Sequence, residues 1–485
     1  MDIAMGGKIL RHFGKNSAIY ALANIMARGL NFLLVPIFTR CLTPSDYGIL
    51  ALAGMVSGLT TTTLSFSIEG AASQLYLLPH EGNDRRSLYG TMLAFWIVVP
   101  GTIVILIQYL GMAGRINFIN GMPFNPYLKL VLWAGYFNIF ITLPIVIYTT
   151  LQKSIQAMVL NLCIAILTTF LNLVFVVFLH KGVLGYLRAN LIAAAVGAII
   201  GLFLTVRVSS LDLSWEKLRA ILTFSLPLVP HSAANWALSL ADRFVLQRFV
   251  ETKQIGLYLL GYQFGGLVMI ASTSINSAFY PIANNYLSDA AQKENVPRLG
   301  TYAFLAIAYC GGVAATLGGD LILILTPLQY HPAARVVPWI ACGFVFHGAY
   351  LIFSRGTFYS QKTATIPVLT IIAAVINIYI NYLTIPIFGI IAAAVNTAVA
   401  YAILAVLHAW LAHRMHPIQW EYTKLIKISG IITSWVLLSF FLTSNLLGCI
   451  IKIIILIFLM PISILQAKVL PASDWTRIYH RIRNS

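Results

Sequence analysis

Several residues of this chain stand inside long apolar runs where polar groups are costly. Asn24, Arg28 and Asn31 follow the i, i+4, i+7 spacing and so share one helical face. Ser57, Thr61, Ser65 and Glu69 form an i+4 ladder that ends in a carboxylate, and His231, Asn235, Ser239 and Asp242 form a second stripe, followed at once by Arg243. Arg188 lies three residues into the run that begins at Gly185. An ionisable group within a membrane span costs about 2.5–3.5 kcal/mol or more unless it meets water or a partner. These residues are therefore expected to line a polar cavity and not to face lipid. Plainer roles stand beside that one. Arg28 and Glu69 can pair across neighbouring helices, Arg188 can snorkel to an interface, Asp242 and Arg243 can close a network between helices, and His231 can be a satisfied interior imidazole. Pro36, Pro100, Pro144, Pro227 and Pro230 fall in or at the ends of these runs, where a missing N–H kinks a helix and frees carbonyls. Pro227-Leu228-Val229-Pro230 is the strongest bending point among them.

The elements that must hold these residues are membrane helices. Of 485 residues, 59% are apolar and 9% charged, a composition that excludes a water-soluble globule of this size. Lys and Arg number 31 against 14 Asp and Glu, for a net charge of +17. The basic residues are scattered between apolar runs and not clustered, which marks helix orientation in a bilayer and not a nucleic-acid surface. Cys41, Cys163, Cys310, Cys342 and Cys449 lie far apart, with no metal-ligand spacing, and read as packing residues. Runs of roughly 20 apolar residues number about fourteen, the first too long for a secretory signal. With the N-terminus inside, Lys and Arg fall about two to one on the cytoplasmic side, so both termini are expected there. No catalytic motif and no acidic metal-binding cluster is found, and no connection is long enough to hide a soluble domain. A membrane glycan polymerase or ligase is the enzymatic alternative, and it would want a larger hydrophilic loop.

The chain also repeats itself. Thr39-Arg40 through Gly48-Ile49-Leu50 is answered by Gln247-Arg248 through Gly256-Leu257-Tyr258 at an offset of 208. Leu151-Gln152-Lys153-Ser154 is answered by Ser360-Gln361-Lys362-Thr363 at an offset of 209. Leu171-Asn172-Leu173 with Gly185 is answered by Ile376-Asn377-Ile378 with Gly389. A repeat of six helices gives copies that enter the membrane in the same sense. The expected fold is an all-α polytopic membrane protein. Residues 1–210 carry helices 1–6, residues 211–415 carry helices 7–12, and the two lobes surround a central cavity. Residues 416–485 add two helices and a basic tail. This is an alternating-access transporter layout.

The string Leu33-Leu34-Val35-Pro36-Ile37-Phe38-Thr39-Arg40-Cys41-Leu42-Thr43-Pro44-Ser45-Asp46-Tyr47-Gly48 resembles the N-terminal signature of bacterial polysaccharide flippases. These are the O-antigen and exopolysaccharide exporters of the multidrug/oligosaccharidyl-lipid/polysaccharide superfamily. Phe224-Ser225-Leu226-Pro227-Leu228-Val229-Pro230, Asp242-Arg243 and Ile255-Gly256-Leu257-Tyr258 are similar to that family's start of the second lobe. The resemblance implies movement of an undecaprenyl-diphosphate-linked oligosaccharide from the cytoplasmic to the periplasmic leaflet of the bacterial inner membrane. Arg28, Arg188, Arg243 and Arg355, with Asn24 and Asn235, are then the candidate head-group path, because a guanidinium fork suits diphosphate. Glu69 and Asp242 are the candidate coupling carboxylates for a proton or sodium ion, with His231, Pro227 and Pro230 as gating positions. No other cofactor is expected; a glycan polymerase and a chain-length regulator are the implied protein partners. Arg188 departs from the family, which usually has a small residue there, as its repeat mate Ala392 is. A drug or cation antiporter of the same superfamily and a peptidoglycan-precursor flippase are the competing readings. The first would want an acidic cavity, and the second a richer arginine cluster.

Overall fold

In the computed structural model the described residues are 29, 32–77, 82–115, 119–210, 214–288, 292–360, 365–439, 441–442 and 446–467, and they form helices and connections with no strand among them. Ten helical stretches are long and apolar enough to cross a membrane, which makes this a multi-pass membrane protein. The longest of these, Ile366–Met415, is two helices joined at Gly389, whose φ of 60° and ψ of −138° lie outside helical geometry. Helices Val229–Phe249 and Tyr422–Ser439 overlap predicted spans seven and thirteen but are not among the ten. The first carries the polar stripe, and the second two lysines, which lower its hydropathy.

The first helix described, α1 (Val35–Cys41), ends at Leu42, whose extended backbone (φ −117°, ψ 148°) breaks the chain direction. Thr43 and Asp46 then close a reciprocal capping box at the start of α2 (Pro44–Leu64). After α3 (Ile68–Leu77), α4 (Gly82–Met112), α5 (Lys129–Thr150), α6 (Ser154–Asn172) and α7 (Gly182–Val206) come the short α8 (Trp215–Ser225) and α9 (Val229–Phe249). The α9 helix ends as α1 does, at an extended residue, Val250 (φ −129°, ψ 157°), and α10 (Thr252–Gly265) follows. Leu42 and Val250, and Pro44 and Thr252, are each 208 apart. The sequence repeat is thus also a repeat of local backbone geometry.

The two copies of this element meet. A Cβ on Gly48 would lie 1.9 Å from the Thr252 carbonyl oxygen, and one on Gly256 would lie 1.8 Å from that of Pro44. The contact is reciprocal, with each glycine against the residue equivalent to the other's partner, as a two-fold relation between repeat copies requires. Only glycine lets the two backbones come this close.

The chain packs as two compact units. One takes residues 1–260, 326–330 and 364–400; the other takes 261–325, 331–363 and 401–485. In the first, α5 packs most extensively on α7, and α2 on α5 and α9. Trp96, Met92, Ile139 and Leu143 form its core. The second holds α11 (Leu267–Ser288), α12 (Val296–Leu325), α13 (Val337–Phe353), α14 (Arg355–Tyr359), the latter part of α15 (Ile366–Met415), and α16 (Tyr422–Ser439). Its last members are α17 (Leu446–Ile454) and α18 (Met460–Gln466), joined by a π-helical turn. Its core runs through Ile307, Ile352, Ile428 and Met460. Lys452 reaches from α17 to Asp320 of α12, with Nζ 3.0 and 2.8 Å from the two carboxylate oxygens, and both residues are buried.

Two details differ from the sequence reading. The Ser57-to-Glu69 ladder is interrupted: Phe66 and Ser67 take φ of 51° and 52°, so the helix breaks between α2 and α3. The reversal between α6 and α7 is at His180 and Gly182, which hold φ of 49° and 56°, and not at Gly185. Gly185 is inside α7, where a Cβ would be 2.8 Å from the Phe175 carbonyl oxygen, so it is there for packing. Pro100 and Pro144 lie inside helices, while Pro227 sits in a 3-10 turn leading to α9, where Pro230 occupies the first turn.

Candidate functional site

The stripe on α9 is continuous. The Asn235 amide and His231 Nε2 are 3.1 Å apart, Ser239 donates to the Asn235 carbonyl, and Arg243 Nη1 donates to the Ser239 carbonyl at 3.0 Å. Arg243 also bonds Asp242 Oδ1 at 3.1 Å through Nη1, and the phenol of Tyr258 on α10 donates to Asp242 Oδ2. Asp242 and Arg243 are each 2% exposed. Both carboxylate oxygens are thus engaged, and the pair ties α9 to α10, the interhelical network foreseen as one role for it. In a low-dielectric interior a charged pair persists only when its remaining donors and acceptors are also satisfied.

Glu69 is in a different condition. Ser65 Oγ donates to its Oε1 at 3.3 Å across the helix break, so the two ends of the ladder still meet. Its Oε2 is buried without a hydrogen-bond partner among the described residues. Next to the break, the Ser67 and Ser232 hydroxyls are 3.0 Å apart, which links the interrupted second span to the start of α9 one residue after His231. The indole of Trp96 donates to the Ser65 carbonyl, which also accepts from the Ile68 N–H across the break. A carboxylate with one open oxygen, beside a strained break, can bind a proton or a small cation without first breaking an ion pair.

Arg355 is the first residue of α14 and only 3% exposed. Its guanidinium carbon stands 4.3 Å over the Tyr280 ring and 5.0 Å over that of Phe358, and Nε donates to the Leu351 carbonyl at 3.2 Å. Nη1 is buried and has no partner among the described residues. Asn276, Tyr280 and Asn284 recur every fourth residue on α11, and the side-chain Oδ1 of each asparagine is likewise buried with no partner among the described residues. An aromatic-flanked guanidinium with an open N–H is suited to an oxyanion such as phosphate. Arg188 is exposed on α7. Asn24, Arg28 and Asn31 lie outside the described residues.

Sequence reasoning passed over two buried polar groups. Asn381 donates to Asn377, and Asn396 donates to both Asn381 and Thr384, at 2.7–3.1 Å. The repeat-related Asn172 accepts from Asn190 at 3.2 Å. Asparagines at i and i+4 in an apolar run were the available signal. The other group is the Asp320–Lys452 pair, whose members are one charge in each of two apolar runs.

Comparison with known proteins adds relatives to this geometry. A family described as "Polysaccharide biosynthesis protein" matches residues 13–286, over half of the chain. The "Probable low-salt glycan biosynthesis flippase" of Haloferax volcanii is 22% identical over 433 residues, covering 86% of this chain and 88% of that protein. Among solved structures, the lipid II flippase MurJ in an inward closed conformation aligns with a TM-score of 0.72 at 16% identity, covering 92% of this chain and 98% of that one. An inward-facing multidrug resistance MATE family transporter of the MOP superfamily aligns with a TM-score of 0.58 at 13% identity, covering 81% and 97%. At these identities the structural likenesses are likenesses of fold.

Proposed function

The chain belongs to the polysaccharide biosynthesis protein family, and from that premise we propose that it is a flippase for undecaprenyl-diphosphate-linked oligosaccharide units. It moves them from the cytoplasmic to the periplasmic leaflet of a bacterial inner membrane by alternating access, for O-antigen, capsule or exopolysaccharide assembly. The family match and the relative named as a glycan flippase support the class of activity. The observation that carries the head-group chemistry is the buried Arg355, whose Nη1 is left open between two aromatic rings. A guanidinium stays charged at any working pH and donates in a fork that matches phosphate oxygens. Arg355 offers its open N–H to the diphosphate; Arg28 and Arg188 serve as further cations, and Asn24 and Asn235 as amides for the sugars, along the path of the substrate. Arg243 is already bonded to Asp242 and Ser239, so its part is to hold α9 and α10 in place. Of the two candidate coupling carboxylates, Glu69 has the open oxygen and takes the proton or sodium ion, while Asp242 is engaged. His231 and the Pro227–Pro230 turn stand where the second bundle bends.

The test is deletion of the gene in its own bacterium, with labelling of which leaflet holds the lipid-linked units. Unpolymerised units accumulating on the cytoplasmic side are expected, and their mass identifies the glycan, which also separates this cargo from a peptidoglycan precursor. Accumulation on the periplasmic side would overturn the proposal in favour of a polymerase or ligase. Arg355→Gln, inserted normally, is expected to reproduce the deletion; full export by that variant would remove Arg355 from the path.

A further inference from the structure

Along the second unit a groove of about 970 Å³ opens between α16 and the latter part of α15. Its floor is aromatic, from Phe304, Phe346 and Phe353, and its walls are low because Ala405 and Ala409 on one side face Gly430 on the other. A Cβ on Gly430 would meet nothing within 4 Å, so the space is open at its centre. Two of the hydroxyls that reach the groove are turned back on their own helix, Ser429 donating to Leu425 and Ser434 to Gly430, which leaves the lining mostly apolar. At one end this changes. His413 and Arg414 border the groove there, both exposed, with Tyr422 beside them. The Arg414 guanidinium is 4.2 Å over the Trp410 ring, and no carboxylate pairs with it among the described residues.

We propose that this groove is a binding site for one anionic glycerophospholipid, its acyl chains along the apolar walls and its phosphate at Arg414. Length favours a membrane lipid over a longer chain. The lining runs from Tyr422 to Ser434 on α16 and from Ala402 to Arg414 on α15, twelve steps on each, or about 18 Å of helix. Half of a bilayer's hydrocarbon is about 15 Å, so the groove is one leaflet deep. A glycerophospholipid fills one leaflet with its head at the interface, whereas a long polyprenyl chain overruns it. Charge selects among phospholipids. Lys424 is held 2.5 Å from Glu421 and is partly neutralised, but Arg414 is not, so a headgroup with net negative charge is preferred over a zwitterion. The basic and aromatic residues at that end are those that belong at the headgroup level. Positive-inside orientation makes this the cytoplasmic leaflet. The site stands independently of the transported substrate.

The experiment is native mass spectrometry of the full chain extracted from bacterial membranes in mild detergent, followed by back-titration with phosphatidylglycerol and phosphatidylethanolamine. The intact protein is expected to retain one phosphatidylglycerol in preference to phosphatidylethanolamine. Arg414→Gln is expected to reduce that preference about tenfold. Gly430→Trp, which fills the open centre, is expected to lose the retained lipid, and Ala409→Phe fills the same space from the other wall as an independent check on folding. Retention unchanged in both filled variants, an equal preference for the zwitterion, or a retained mass matching a polyprenyl-linked species would each overturn the site.

Discussion

A lysine and an aspartate within apolar spans would each be strongly unfavourable alone, and Lys452 and Asp320 are tolerated because they neutralise one another at 2.8 Å. The same physics predicts an asymmetry. Lys452→Met alone leaves a buried carboxylate and is expected to destabilise by about 3–5 kcal/mol, while Asp320→Leu with Lys452→Met is expected to recover most of the loss. Thermal unfolding of the two variants in detergent measures this; equal damage in the single and the double variant would show that the charges do not interact. At Asp242 the expectation is smaller: Tyr258→Phe removes one donor from a buried carboxylate and is expected to cost about 1–3 kcal/mol in the same assay. What could be read at this scale followed from spacing. The stripe from His231 to Asp242 was visible because i+4 neighbours face the same way. The Asp320–Lys452 pair was not, since 132 residues separate its members and no local pattern joins them. The burial of Arg355 beneath Tyr280 was not legible either, because it depends on how α11 packs.

Helices pack closely where side chains are absent, and the crossing of α2 with α10 depends on Gly48 and Gly256 together. Gly48→Ala and Gly256→Ala each place a methyl group under 2 Å from a carbonyl oxygen and must displace backbone, so either is expected to lower the unfolding temperature sharply. Gly430→Ala, with open space around it, is the matched control and is expected to change little. A second prediction concerns the break between α2 and α3. Ser67 holds φ of 52°, a conformation costing an L-residue about 1–2 kcal/mol, so Ser67→Gly relieves strain but also removes the hydroxyl that meets Ser232. If strain outweighs the bond, the variant unfolds at higher temperature; a lower temperature assigns the larger share to the Ser67–Ser232 link. The repeat itself was legible because Arg-to-Gly spacing recurs at one offset; that both copies break helix geometry at 42 and 250 emerges only from the structure. The break at Phe66–Ser67 was not legible, because neither residue type favours a positive φ and the hydrophobic pattern runs through it.

For the whole molecule, sidedness decides what the arginines can bind and in which direction cargo moves. All-helical membrane architecture followed from 59% apolar and 9% charged residues, and the helix ends observed in the fold allow orientation to be assigned connection by connection. Lys153, between α5 and α6, Arg207, at the end of α7, and Lys293, before α12, are expected on one side under the positive-inside rule. His180, Glu251 and His331 lie in connections that alternate with these and are expected on the other. Five free cysteines are native, and Cys41, Cys163 and Cys342 are exposed, so a cysteine-free background comes first. Single cysteines introduced at 180, 251 and 331 are then expected to react with a membrane-impermeant maleimide in intact spheroplasts. Those at 153, 207 and 293 are expected to react only after permeabilisation. The opposite pattern would place the groove end with Arg414 in the outer leaflet and reverse the transport direction inferred for the cargo. Mixed reactivity within either set of three would break the alternation, and with it the parallel insertion of two six-helix copies on which alternating access rests.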